Sequence, residues 1–184
     1  MNPILVVDDE PNVLSALTRA LFDEQLEVTC AKSGEEALEI VATKPFKLVI
    51  SDERMIGMQG SELLAILKER YPQTLRILLT GHATLEAAMK AVNQGEIYRF
   101  FTKPWNDTEL KFAIRTAIER FDLEAENRRL LATVRNQAME IRVLEKRYPG
   151  ISRVQKDSKG SFVLPELSDT EIMMMLAECE KDYK

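Results

Sequence analysis

Ile4-Leu5-Val6-Val7-Asp8-Asp9-Glu10 is a run of four apolar residues closed by three acids. Apolar residues that do not alternate with polar ones describe a strand buried on both faces, as the strands of a parallel sheet are. The pattern returns as Leu48-Val49-Ile50 running into Ser51-Asp52, as Arg76-Ile77-Leu78-Leu79-Thr80, and more weakly as Val28 to Ala31 and Ile97 to Thr102. Between these runs lie stretches with apolar residues at helical spacing: Leu14, Leu17, Ala20 and Leu21, then Ala37, Leu38 and Val41, then Leu63, Leu64, Ile66 and Leu67. A fourth helix is expected from Thr84 to Gln94, with Gly95 as its stop. Strands alternating with helices predict five βα units, an α/β doubly wound parallel sheet covered on both faces.

Local signals set the boundaries. Ser33 with Glu36, and Asn106 with Glu109, have the spacing of capping boxes, and Tyr71-Pro72 ends the third helix because proline disfavours helical geometry before it. From Asp107 to Tyr148 there is neither proline nor glycine, enough for a helix of about 60 Å. Its second half carries a heptad, with Leu123, Leu130 and Leu144 at d and Val134, Ile141 and Tyr148 at a, interrupted by Asn127 at a and Gln137 at d. That spacing predicts a coiled coil, hence a homodimer through the long helix, and a seam Asn commonly fixes register and a two-stranded state. The competing arrangement is a single amphipathic helix folded back on its own domain. Pro149-Gly150 breaks the helix, and Ile151 to Gln155 with Ser161 to Leu164 predict a hairpin around Asp157-Ser158-Lys159-Gly160. Pro165 closes it, and Ser168 with Glu171 opens a last helix carrying Ile172, Met173, Leu176 and Cys179, its methionines expected on a buried face, with an adaptable binding face as the alternative. Residues 1–120, 121–148 and 149–184 are thus expected as a main domain, a coiled-coil extension, and a small hairpin-helix module.

Composition excludes much. The 184 residues carry 25 Lys+Arg and 30 Asp+Glu, a net charge of −5, with 45% hydrophobic residues, as in ordinary globular proteins. No apolar stretch is long enough to span a membrane and no secretory leader opens the chain, so a cytoplasmic setting with no membrane partner is expected. One histidine, His82, cannot build a His-rich metallohydrolase, an HExxH protease or an HD-type phosphodiesterase site. There is no GxxxxGK[ST] loop. Basic and acidic residues number 14 and 18 through residue 120, and 11 and 12 after it. Neither part has the basic excess that binds nucleic acid.

What chemistry remains sits at strand ends. In an open sheet of order 2-1-3-4-5, strands one and three are neighbours, and their carboxyl ends form the switch-point crevice where ligands bind. Asp8, Asp9 and Asp52 would crowd that crevice. Carboxylates so close repel unless a cation joins them, and hard oxygen donors with waters left in place describe a Mg²⁺ site. Thr80 and Lys103, after strands four and five, would point into the same crevice. A hydroxyl and a positive charge beside a metal-bound carboxylate suit phosphoryl transfer, which is mostly positioning and charge neutralisation.

Over about residues 3–120 these signatures resemble the receiver (CheY-like) domain of two-component response regulators: Val6-Val7-Asp8-Asp9-Glu10, Ser51-Asp52 followed by Arg54-Met55 and Gly57-Met58, Leu79-Thr80-Gly81, the aromatic Phe100, and Lys103-Pro104. The resemblance implies a flavodoxin-like (βα)₅ fold in which Asp52 accepts a phosphoryl group from a histidine kinase. It implies that Asp9, Asp52 and the backbone carbonyl of Arg54 hold Mg²⁺ with Asp8 helping through water, that Thr80 and Lys103 contact the phosphoryl oxygens, and that Phe100 follows Thr80 as a switch. Tyr98 to Trp105 looks most like receivers that precede long helical linkers, including those of HD-GYP phosphodiesterases, an enzyme this chain lacks. Ile56 departs from the family, which usually carries proline there, and a looser loop is expected. The expected role is a phosphorylation-dependent switch whose long helix controls a partner protein, with no enzyme activity beyond Mg²⁺-dependent phosphorylation and dephosphorylation at Asp52. A scaffold that is never phosphorylated is the rival reading, and a transcription factor with a DNA-binding tail fits the near-neutral tail poorly.

Overall fold

The computed structural model describes residues 2–81, 97–148, 155–156 and 162–163, together with Ser168, Thr170 and Met173. The helix expected over Thr84 to Gln94, its stop at Gly95, His82, the linker at Pro149-Gly150, Pro165 and most of the last expected helix lie outside the described residues. Five strands, β1 (Asn2–Val7), β2 (Leu26–Ala31), β3 (Leu48–Asp52), β4 (Leu75–Thr80) and β5 (Arg99–Thr102), form one parallel sheet in the order β2-β1-β3-β4-β5. The helices are α1 (Pro11–Ala20), α2 (Gly34–Thr43), α3 (Gly60–Arg70) and α4 (Asp107–Arg147).

Burial explains the unbroken apolar runs. Every residue of the inner strands β3 and β4 is buried, whereas the edge strands β2 and β5 are mixed or half-exposed. Successive side chains of a strand leave on opposite faces, so each inner strand feeds two cores. Leu5, Val7, Val49 and Leu78 pack with Ala37 and Val41 of α2 and with Leu63, Leu64 and Leu67 of α3. Ile4, Val6, Leu48, Ile50, Ile77 and Leu79 pack with Leu14 and Leu17 of α1 and with Leu110, Ile114 and Ile118 of α4. At about 1.5–3 kcal/mol for each fully buried Leu, Ile or Val, these two layers hold the sheet flat against its helices and fix where its carboxyl edge lies.

The caps form where the sequence puts them. Glu36 N donates to Ser33 Oγ at 3.1 Å, and Glu109 N donates to Asn106 Oδ1 at 3.1 Å. The return arm of the first box differs, because Glu36 Oε2 accepts from Lys32 N at 2.7 Å rather than from the cap residue itself. Helix α4 is continuous over 41 residues. Two compact units are distinguished, Met1–Arg128 and Arg129–Lys184. In the second unit, β6 (Gln155–Lys156) and β7 (Phe162–Val163) pair antiparallel, and the rest of the expected hairpin lies outside the described residues. Met173, expected on a buried face, is 76% exposed.

Gly60, the first residue of α3, lies against the end of β3. A Cβ there would stand 2.0 Å from the backbone oxygen of Asp52, an atom that cannot swing aside. Gly60→Ala is expected to destabilise the protein by about 2–3 kcal/mol through this overlap, read as a lower midpoint of urea unfolding.

Candidate functional site

Four strand ends converge. Asp8 and Asp9 follow β1, Asp52 is the last residue of β3, Thr80 is the last of β4, and Lys103 follows β5. Because β1 lies between β2 and β3, the chain's order reverses there, and the crevice at the carboxyl ends of β1 and β3 is the switch point of the sheet. The Lys103 Nζ bridges it, 2.9 Å from Asp8 Oδ2 and 2.5 Å from Asp52 Oδ1. Asp8, Asp52 and Thr80 are buried, and Lys103 is half-buried.

The remaining carboxylate oxygens are held by backbone amides. Asp8 Oδ1 accepts from Glu10 N at 2.9 Å, Asp52 Oδ2 from Arg54 N at 2.8 Å, and Asp9 Oδ2 from Ile56 N at 3.0 Å. Burial pushes the Asp8 carboxyl above its ordinary range, against the opposing pull of Lys103 and the Glu10 amide. Burial also acts to lower the Lys103 ammonium, but its hydrogen bonds to Asp52 and Asp8 outweigh this and hold it above the usual lysine value. Thr80 Oγ1 donates to the Gly81 carbonyl at 3.1 Å, and Lys103 N donates to Thr80 O at 2.8 Å, so the ends of β4 and β5 are tied together behind the ammonium. Phe100 of β5 is half-buried and packs on the core layer that contains Val49 and Leu78.

Several positioning groups carry no signal in the sequence. Glu53, beside Asp52, is buried, and its carboxylate accepts from Ser61 N at 2.8 Å and Ser61 Oγ at 3.0 Å, clamping the end of β3 to the start of α3. Glu35 of α2 accepts from Met58 N at 3.2 Å. Its own backbone amide, the Ser33 side chain and the Met58 amide hold its carboxyl below the usual range. Between these ties Gly57 turns with φ +87°, a conformation that favours glycine. The loop is therefore not left loose by Ile56. The isoleucine supplies an N–H to Asp9 that proline lacks.

The donors available for a cation are carboxylate oxygens and, on the adjoining loop, backbone carbonyls, the hard ligands that Mg²⁺ takes. Among the described residues no three acidic, histidine or cysteine side chains converge at metal-ligand spacing. Lys103 stands between two of the acids and an amide holds one oxygen of the third, which leaves carboxylate lone pairs to receive a cation. The donor set thus fits Mg²⁺ in kind.

Known proteins agree with this geometry. Residues 4–115 match the model of the response regulator receiver domain. The hydrogenase transcriptional regulatory protein HoxA of Cupriavidus necator is 34% identical over 139 residues, covering 76% of this chain and 29% of that protein. The DNA-binding transcriptional regulator NtrC of Escherichia coli is 34% identical over 125 residues, covering 68% of this chain and 26% of that protein. The chain thus spans less than a third of the length of these relatives. Among solved structures, the signal receiver domain of an HD domain-containing protein from Pseudomonas fluorescens is 40% identical with a TM-score of 0.64, covering 68% of this chain and 92% of that one. A protein described as an adenylate cyclase from Rhodopirellula baltica is 39% identical with a TM-score of 0.67, covering 72% and 98%. No helix among the described residues is long and apolar enough to cross a membrane. By its matched residues, its strand order and its carboxylate crevice, the chain belongs to the response regulator receiver domain family.

Proposed function

We propose that Asp52 accepts a phosphoryl group from a histidine kinase and that the receiver passes the resulting change through α4 to a partner protein. The observation that carries this reading is the Lys103 ammonium bridging Asp8 and Asp52 at the switch point, 2.9 and 2.5 Å away. An Asp52 oxygen would attack phosphorus as the bond from phosphorus to the kinase histidine nitrogen breaks, and the electron pair of that bond leaves with the imidazole. Lys103, released from Asp52, meets a phosphoryl oxygen, and Thr80 turns its hydroxyl from Gly81 to another. Phe100 is read as the aromatic that follows Thr80. Asp9, Asp52 and the Arg54 carbonyl are the groups to hold Mg²⁺, with Asp8 acting through water. Bound there, Mg²⁺ supplies neutralisation of the transferring group's charge.

The partner is read as a protein rather than DNA. After residue 120 the chain has 11 basic and 12 acidic residues, no excess to neutralise phosphates. A cytoplasmic setting belongs to the same reading.

Intact mass after incubation with a small-molecule phosphodonor and Mg²⁺ tests the acceptor. The wild-type chain is expected to gain one phosphoryl group, and Asp52→Asn none. No gain in wild type, together with no response to a beryllofluoride mimic, would favour the scaffold reading instead.

The crevice also predicts a dependence of stability on pH. Because burial raises Asp8 above 3.8 in the folded chain, the folded state keeps that proton to higher pH than the unfolded state does. The Asp8 contribution to stability therefore falls as pH rises from the ordinary carboxylate range through the raised value. Asp8→Asn is expected to make the protein more stable at neutral pH, with the gain shrinking as pH is lowered to about 4. Urea midpoints of both proteins across that range check it, and an Asn variant less stable at neutral pH would refute it.

A further inference from the structure

Beyond the receiver body, the apolar side chains of α4 stand in solvent: Leu123, Leu130, Val134 and Ile141 are 72%, 56%, 59% and 52% exposed. They share one face of the helix at heptad spacing, interrupted at two levels by the amides Asn127 and Gln137. We propose that this face pairs with the same face of a second copy of the chain, parallel and in register. The proposal deepens the reading of α4 as the output element and rests on it for meaning, although the pairing itself needs no phosphoryl group.

Register decides what each amide meets. In a parallel, in-register pair, Asn127 faces Asn127 of the second copy and Gln137 faces its own counterpart. Each amide then has a partner with both donor and acceptor. The Val134, Leu130 and Ile141 layers likewise meet themselves. Reversing one helix so that Ile141 faces Leu130 sets Asn127 against Leu144 and Gln137 against Val134, which buries amides on apolar side chains without partners. Sliding the reversed helix by one heptad brings Asn127 to Gln137. It also sets Glu126 beside Glu140 and Leu144 against Arg120. The parallel register has its own like-charge contacts at the flanks. One is Glu140 with Glu145, and the other is Glu119 with Glu124, the latter already paired with Arg120 at 2.8 Å in its own chain. Self-matching polar layers are a property of one sequence against itself, and they select a second copy over an unrelated helix.

The test uses the full chain without phosphodonor, with Cys30 and Cys179 replaced by serine. Val134→Cys is expected to form a disulfide-linked dimer as the main product of mild oxidation. When isotope-labelled Leu130→Cys is mixed with unlabelled Val134→Cys, the mixed crosslink is expected to stay minor. Glu145→Lys is expected to tighten self-association about fivefold by removing the Glu140–Glu145 contact. A chain that remains monomeric by light scattering at roughly 100 μM overturns the proposal. So does a dominant mixed crosslink, or tightening by Glu126→Lys in place of Glu145→Lys, either of which marks the reversed arrangement. None of these readouts depends on Asp52, so their failure leaves phosphoryl acceptance standing, and failure of the acceptor leaves the pairing standing.

Discussion

Two carboxylates buried in one crevice share a single ammonium. At an effective dielectric constant of about 20, unit charges about 4 Å apart interact by roughly 4 kcal/mol, so the Lys103 ammonium between Asp8 and Asp52 offsets a repulsion of that order. The cation comes from 95 residues beyond Asp8 in sequence. Only the sheet order, with β1 beside β3 and β5 beyond β4, brings it back. The two core layers thus set a distance between charges as well as burying apolar surface. One positive charge against two negative ones leaves the crevice short of positive charge. Such a site is suited to an additional cation and to a ligand whose oxygens can take over part of the ammonium.

Around that centre the acids do a second job. Glu53 and Glu35 accept backbone amides of residues 61 and 58, and Asp9 accepts that of residue 56, so the loop after β3 is stitched to its surroundings by carboxylates from three elements. These hydrogen bonds are exposed or part-buried, so each contributes a modest net amount of about 0.5–1.5 kcal/mol, and loops, unlike helices, cannot supply acceptors from their own ladder. Tying these amides to side chains lets the loop close over Asp52 while keeping a fixed path.

The inner strands were legible because burial on both faces leaves a mark that composition alone can carry: Ile4 to Val7, Leu48 to Ile50 and Ile77 to Leu79 are apolar without a break. The edge strands leave a weaker mark. β2 begins at Leu26, two residues before the apolar run, and β5 begins at Arg99, two residues after it. There, pairing on one side only lets register with β1 and β4, and not hydrophobicity, set the ends. The strand-end acids could be read because each follows directly on an apolar run. Glu53 and Glu35 could not, since a carboxylate that binds an amide eight or twenty-three residues away has no period to betray it. Ile56 is the instructive position: loss of a proline suggests a looser loop, yet the amide it restores is the one that holds Asp9.

How far phosphorylation could move such a receiver is bounded by the contacts available. Lys103 already has two carboxylate partners, so an exchange of Asp52 for a phosphoryl oxygen gains only the difference between two charged hydrogen bonds. A new charge-assisted bond adds about 1.5–3 kcal/mol and a hydroxyl bond from Thr80 about 0.5–1.5 kcal/mol. Together these shift an equilibrium by about thirtyfold to two-thousandfold at most, short of the roughly ten-thousandfold needed to invert a 1:99 population. Within the proposed reading, the unphosphorylated chain must therefore already populate its active arrangement appreciably, or a second contribution must add to the first. Asp107, the first residue of α4, lies four positions after Lys103, and Trp105 between them donates to the Asp107 carboxylate at 3.0 Å. Within the proposed reading, this short segment is where a shift of Lys103 would be passed to the start of α4. If α4 pairs with a second copy as proposed, a small bias of the same sense in each chain would count twice in the dimer and supply such a contribution.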